Sequence, residues 1–153
     1  MNLLFDTNVL IYLARDYQNR ILSTINPENK QIFLSVATLG ELKSISIQNN
    51  WSSKKWEVLD AIIDECILVE INDNLIETYS EIDSYSQRKN PKFGTYIFDT
   101  PRNMGKNDLW IAATGSFLNL KLITTDSDFD HLDKVFLHVE KWIPEQFKKI
   151  ING

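Results

Sequence analysis

Five short apolar runs punctuate the chain, separated by longer stretches in which apolar residues recur every three or four positions. NLLF (2–5), IFLSV (32–36), CILVEI (66–71), LKLIT (120–124) and VFLHVE (135–140) have the length and content of buried strands. Helical spacing follows most of them. VLIYLAR succeeds Asp6-Thr7-Asn8, and Val36, Leu39, Leu42 and Ile45 keep one face through ATLGELKSISIQNN. Trp56, Leu59, Ile63 and Cys66 mark an amphipathic helix opened by Ser52 or Ser53. Asn74 and Glu77 have the spacing of a capping box before a helix carrying Leu75, Tyr79, Ile82 and Tyr85. Residues 90–106 hold Pro91, Gly94, Pro101 and Gly105 and read as an irregular loop. DLWIAATGSFLNL (108–120) is apolar on nearly every face, which predicts a buried helix.

Short apolar strands alternating with helices predict an α/β fold: a three-layer α/β/α sandwich around a central parallel sheet of about five strands. At 153 residues, one domain spanning 1–153 is expected. In such sheets ligands bind beyond the carboxyl ends of the strands. That rule gathers distant sequence positions into one place.

Four acids stand near the junctions between strands and helices. Asp6 ends the first strand, and Glu41 lies in the first turns after the second. Asp108 opens the buried helix, and Asp126 ends the fourth strand. At the helical repeat, Glu41 falls about 40° from Ile45, so it borders an apolar stripe. Each acid also has a local structural reading: Asp6 or Asn8 as an N-cap, Thr38 with Glu41 as a capping box, Asn107 or Asp108 as an N-cap, and Asp126 with Asp128 as turn residues. Capping does not account for all four at one sheet edge. Two carboxylates about 5 Å apart repel by about 3 kcal/mol at an effective dielectric near 20, so protons or a cation must offset the cluster. All-oxygen ligation suits Mg²⁺ or Mn²⁺. Zinc does not fit, because Cys66 is alone and His131 and His138 lack ligand spacing, reading instead as surface or strand residues. Nor does the run from Asp126 to Asp130 start a calcium loop, since His131 and Leu137 stand where Gly and Glu are needed.

LLFDTNVLIYL, SVATLGELKS, NDLWIAATG and LITTDSDF, in this order and spacing, resemble the PIN-domain family, and within it the VapC-like toxin ribonucleases of bacterial toxin–antitoxin pairs. The resemblance spans essentially the whole chain. It implies that Asp6, Glu41, Asp108 and Asp126 form the family's acidic quartet, as catalytic residues and metal ligands. Asn8 matches the residue supporting the first acid, Thr125 a hydroxyl position before the last acid, and Asp128 an accessory acid. It further implies Mg²⁺- or Mn²⁺-dependent hydrolysis of RNA leaving 5′-phosphate and 3′-hydroxyl ends, with one or two ions per site. A homodimer and a cognate antitoxin complete the expectation.

The balance of 16 Lys and Arg against 21 Asp and Glu, a net charge of −5, argues against a nucleic-acid coat protein but leaves room for a local basic patch. One lies at 88–106, where Arg88, Lys89, Lys92, Arg102 and Lys106 face a single acid, Asp99, and alternate with Phe93, Tyr96 and Phe98. This stretch reads either as an RNA-binding lip, with Arg88, Lys92, Arg102 and Lys106 on phosphates, or as a solvated loop whose rings tuck into the core. The lone cysteine fits a reducing cytoplasm, and no run reaches the roughly 18 apolar residues of a membrane span. Two rivals remain at this level. A haloacid-dehalogenase-like phosphatase would need a second acid where Asn8 stands, and a non-catalytic PIN module binding protein or RNA would have no use for four mutually repelling acids.

Overall fold

The computed structural model describes residues 1–153 and contains a five-stranded, all-parallel sheet. Its strands are β1 (Leu3–Phe5), β2 (Ile32–Ser35), β3 (Ile67–Val69), β4 (Lys121–Thr124) and β5 (His138–Lys141), in spatial order β3-β2-β1-β4-β5. The helices are α1 (Thr7–Leu13), α2 (Arg20–Ile25), α3 (Val36–Gln48), α4 (Ser53–Ile63), α5 (Ile76–Ser86), α6 (Lys106–Phe117) and α7 (Pro144–Asn152). Short 3₁₀ turns occupy Asp73–Leu75 and Ser127–Leu132. No helix is long and apolar enough to cross a membrane.

Both sheet faces are covered, which is why the central strands are apolar without alternation. Leu3, Phe5 and Ile123 point into one core with Val9, Leu10, Leu42, Leu59 and Phe147. Leu4 and Leu122 point into the other with Ile82, Tyr85, Leu109 and Ile111. The chain runs outward from β1 to β2 and β3, then returns to the far side of β1 to lay down β4 and β5. The order therefore reverses between β1 and β4, where the connections diverge and leave a crevice at the carboxyl edge.

Several element boundaries differ from the sequence reading. Ser35, not Thr38, caps α3, its side chain accepting from the amide of Ala37. The Thr38–Glu41 capping box is thus not formed, and Glu41 sits in the second turn. Asn72 accepts from the amide of Asn74 and starts a 3₁₀ turn, displacing the expected Asn74–Glu77 box. The strand expected at 135–140 begins three residues later, because Lys134 takes a left-handed conformation (φ 64°) and its amide bonds back to the carbonyl of Leu137. Helices α2 and α7, of six and nine residues, fall outside the five-strand pattern read from the sequence.

Gly115 on α6 lets that helix lie close against the sheet: a Cβ there would stand 2.8 Å from Leu137 Cδ1 and 3.4 Å from Leu4 Cδ2. Gly115→Val adds two methyls beyond that Cβ and should lower stability by about 1–3 kcal/mol, measured as a fall in the urea midpoint at unchanged slope.

Candidate active site

The crevice between β1 and β4 is lined by acids from four parts of the chain. Asp6, Glu41, Asp108 and Asp126 border one cavity of about 520 Å³, with Asn8, Gly105, Lys106 and Asn107. No hydrophobic residue lines it. A larger cavity, about 720 Å³, lies away from these acids beside α2 and α4, and Glu65 is its only carboxylate.

Each acid is delivered differently. Asp6 follows β1 directly and is 3% exposed, its backbone amide pairing with the carbonyl of Ile123 at the end of β4. Oδ1 accepts from the amide of Thr7, capping α1, and Oδ2 accepts from the Thr124 hydroxyl at 2.7 Å. Each of those oxygens keeps a second lone pair for a cation. Asp126 Oδ1 accepts from the amide of Asp128, and its own amide donates to Thr124 Oγ1. Thr124 therefore ties the first acid to the last through one hydroxyl. Asp108 is the third residue of α6, whose N-cap position is Gly105, so its carboxylate is not spent on capping. Glu41 accepts from Asn107 Nδ2 at 3.2 Å, a bond joining α3 to the start of α6.

Oxygens of Asp108, Asp126 and Asp128 lie within 4.8 Å of one another, forming the tightest acidic group. Asp6 and Glu41 stand around this trio in the same crevice. An all-carboxylate set with no sulfur or imidazole fits a hard divalent ion such as Mg²⁺ or Mn²⁺, with water filling the remaining positions. The electrostatics agree. Burial pushes the Asp6 carboxyl up to about 6, only partly opposed by the Thr124 and Thr7 bonds. Burial, then the charges of Asp6 and Asp126, push Asp108 up to about 7. Burial and Asp126 also raise Asp128, while Arg102 pulls it down.

Of the supporting residues, Asp128 joins the acidic trio, whereas Asn8 and Thr125 make no hydrogen bond to an acid. The hydroxyl that does belongs to Thr124, the buried last residue of β4. Asn8 is exposed and lines the cavity without bonding Asp6. His131, expected at the surface or in a strand, is 5% exposed, bonded through Nε2 to Ser86 Oγ at 2.8 Å and held neutral by burial. Only His138 lies in a strand. In the basic loop the rings pack inward: Phe98 is buried, and Phe93, Tyr96 and Phe98 all contact Tyr85. The cations diverge in role. Lys106 lines the acidic cavity, Arg102 lies near enough to Asp128 to lower its pKa, Lys92 pairs with Glu81 at 2.9 Å, and Arg88 covers the Tyr96 ring. Thr124 was not singled out from sequence, and Asn107 only as an N-cap; the signal, a polar residue ending a strand or opening a helix beside an acid, is too common to select them for the site.

A parallel sheet with acids gathered at its strand-order reversal defines a class of metal-binding α/β domains. Residues 3–135 match the PIN domain model, and the chain belongs to that family. The phosphatase alternative is thereby set aside. Among solved structures, the chain is similar to VapBC2 from Rickettsia felis bound to a promoter DNA fragment, with 20% identity, TM-score 0.71, and 93% of this chain and 99% of that one covered. VapBC-1 from nontypeable Haemophilus influenzae matches at 21% identity and TM-score 0.69, covering 93% and 98%. VapBC-5 from Mycobacterium tuberculosis, of the VapBC family of toxin–antitoxin systems, matches at 21% and 0.58, covering 92% and 96%. These likenesses establish the fold. No curated protein sequence matches the chain.

Two outcomes follow from this geometry. Asp6 and Asp108 ionise above their ordinary value of 3.8 in the folded state, so ionising them opposes folding. With EDTA present, the melting temperature should fall as pH rises from about 4 to about 7, with Asp6 alone contributing about 3 kcal/mol across that window. Mg²⁺ should flatten the decline. Thr124→Val leaves Asp6 Oδ2 and the Asp126 amide without their partner, and should lower stability by about 1–3 kcal/mol by denaturant unfolding.

Proposed function

We propose that this protein is a Mg²⁺- or Mn²⁺-dependent endoribonuclease, the toxin of a toxin–antitoxin pair, acting as a homodimer and held inactive by a cognate antitoxin. The observation that carries the reading is the convergence of Asp6, Glu41, Asp108 and Asp126 on one polar cavity at the strand-order reversal of a PIN domain. The structural relatives that are VapBC complexes support the toxin and antitoxin parts.

Asp108 and Asp126 would hold the ion, with Asp6 beside them and Asp128 close enough to share it. When bound, a divalent ion supplies a lowered water pKa and a counter-charge for the phosphate. The chain's own residues do the rest. Asp6 is fixed by two hydrogen bonds, so it presents its free lone pairs without reorganisation. Glu41, steadied by Asn107, orients the water that attacks phosphorus. The water oxygen bonds to phosphorus and gives up one proton to solvent, the bond from phosphorus to O3′ breaks, and O3′ takes up a proton from solvent. The products are a 5′-phosphate and a 3′-hydroxyl. Lys106 and Arg102, beside the acids, bind flanking phosphates. Arg88 and Lys92 extend this basic surface, Lys92 once Glu81 releases it.

Asp108→Asn should reduce Mg²⁺-dependent cleavage of single-stranded RNA by at least about 10²-fold while the protein still melts cooperatively. Cleavage at the wild-type rate would overturn the assignment. Growth arrest on induced expression should likewise disappear with Asp6→Asn.

A further inference from the structure

The acidic cavity is one half of a longer cleft. A second cavity of about 530 Å³ shares Asn8 and Asp126 with it and continues past them, bordered by Tyr12, Arg15, Thr125 and Pro144. Asn8 and Asp126 form the wall the two have in common. Their chemistry differs sharply: the first is lined by four carboxylates, whereas the second combines an aromatic ring, a guanidinium and hydroxyls.

Tyr12 and Arg15 lie three residues apart, so they share the exposed side of α1 and the residues just past its end. The Arg15 guanidinium lies over the Tyr12 ring, 6.0 Å from its centre, so this exposed arm swings aside when a base takes its place. That ring is half-buried and packs against Phe147 in an edge-to-face arrangement, ring centres 5.3 Å apart. Phe147 is in turn fully buried and stacked on Trp142. The ring is thus a fixed platform. The fold's ion pairs engage Lys92, Lys121 and Lys141 and leave Arg15 free at the surface. Arg15 and Lys106 thus line the two adjoining cavities, one cation in each.

We infer that the Tyr12–Arg15 cavity is a subsite for one unpaired nucleotide of the substrate strand, its base stacked on Tyr12 and its phosphate paired with Arg15. A strand crossing the acids needs a cation on either side, because the carboxylates repel every phosphate the metal does not hold. A planar base needs an aromatic face, which the inward-packed rings of the 93–98 loop do not offer. A duplex, whose bases are already stacked on one another, offers none to Tyr12. This inference rests on the nuclease reading of the acidic cavity.

The test measures binding without cleavage, in the full-length Asp108→Asn chain with Mg²⁺ and a fluorescein-labelled single-stranded 12-nucleotide RNA, by anisotropy. Arg15→Ala in that background should weaken binding about tenfold and flatten the slope of log affinity against log salt by about 0.7, the loss of one phosphate contact on a single strand. Arg15→Lys should restore most of the slope. Scanning the RNA with abasic sites should find one position where removing the base weakens binding about tenfold to the parent and leaves Tyr12→Leu unaffected. A DNA strand of the same sequence should show the same Arg15 dependence, since neither contact reads the 2′-hydroxyl. An Asp108→Asn chain that binds no oligonucleotide overturns the nuclease reading and this subsite with it. Binding whose affinity and salt slope ignore Arg15 overturns the subsite alone. Arg15 is exposed, so its variants fold independently of the outcome.

Discussion

Carboxylates repel one another, and this fold forces several into one crevice. Asp6 is almost fully buried, and the charges of Asp6 and Asp126 raise the cost of ionising Asp108. A structure that only needed to fold would spread these charges out or replace them. Here the backbone and Thr124 instead hold Asp6 and Asp126 in place, so the repulsion is built in and relieved only by protons or a hard cation. The local hydrogen bonds keep the acids from turning away, which leaves the site pre-organised for an ion.

The sheet topology makes this possible. With order β3-β2-β1-β4-β5, β1 and β4 are neighbours in space although more than a hundred residues separate them. Their carboxyl ends deliver Asp6 and Asp126 to the same spot. Helix α6 packs with α5 on one face and meets α3 over the edge, bringing Asp108 and Glu41 to the crevice. Gly115 lets α6 sit close enough for this, and Asn107 ties the two helix contributions together.

Much of this was legible in the sequence because it follows from periodicity. Short runs rich in apolar residues, such as LLF and LKLIT, read as strands covered on both faces, and their alternation with helices gives a parallel sheet. The carboxyl-edge rule then places Asp6 and Asp126 without coordinates. What was not legible depends on three-dimensional neighbours. The choice between Thr124 and Thr125 turns on the pleat: one hydroxyl points to Asp6, and its successor points into the second cavity. The choice between the two readings of the 88–106 loop, the burial of His131 against Ser86, and the closeness of Asp128 to Asp108 all depend on segments whose separation carries no sequence signal. Helices α2 and α7 were missed because six- and nine-residue segments scarcely establish a period.

The central claim is that these acids make a single divalent-cation site. A crystal soaked in Mn²⁺ and measured at the manganese absorption edge tests it directly. An anomalous peak should appear in the crevice, with oxygens of Asp108 and Asp126, and of Asp6 or Asp128, at about 2.0–2.2 Å. A strong peak elsewhere on the surface, or none at millimolar Mn²⁺ with the crevice open to solvent, would contradict it.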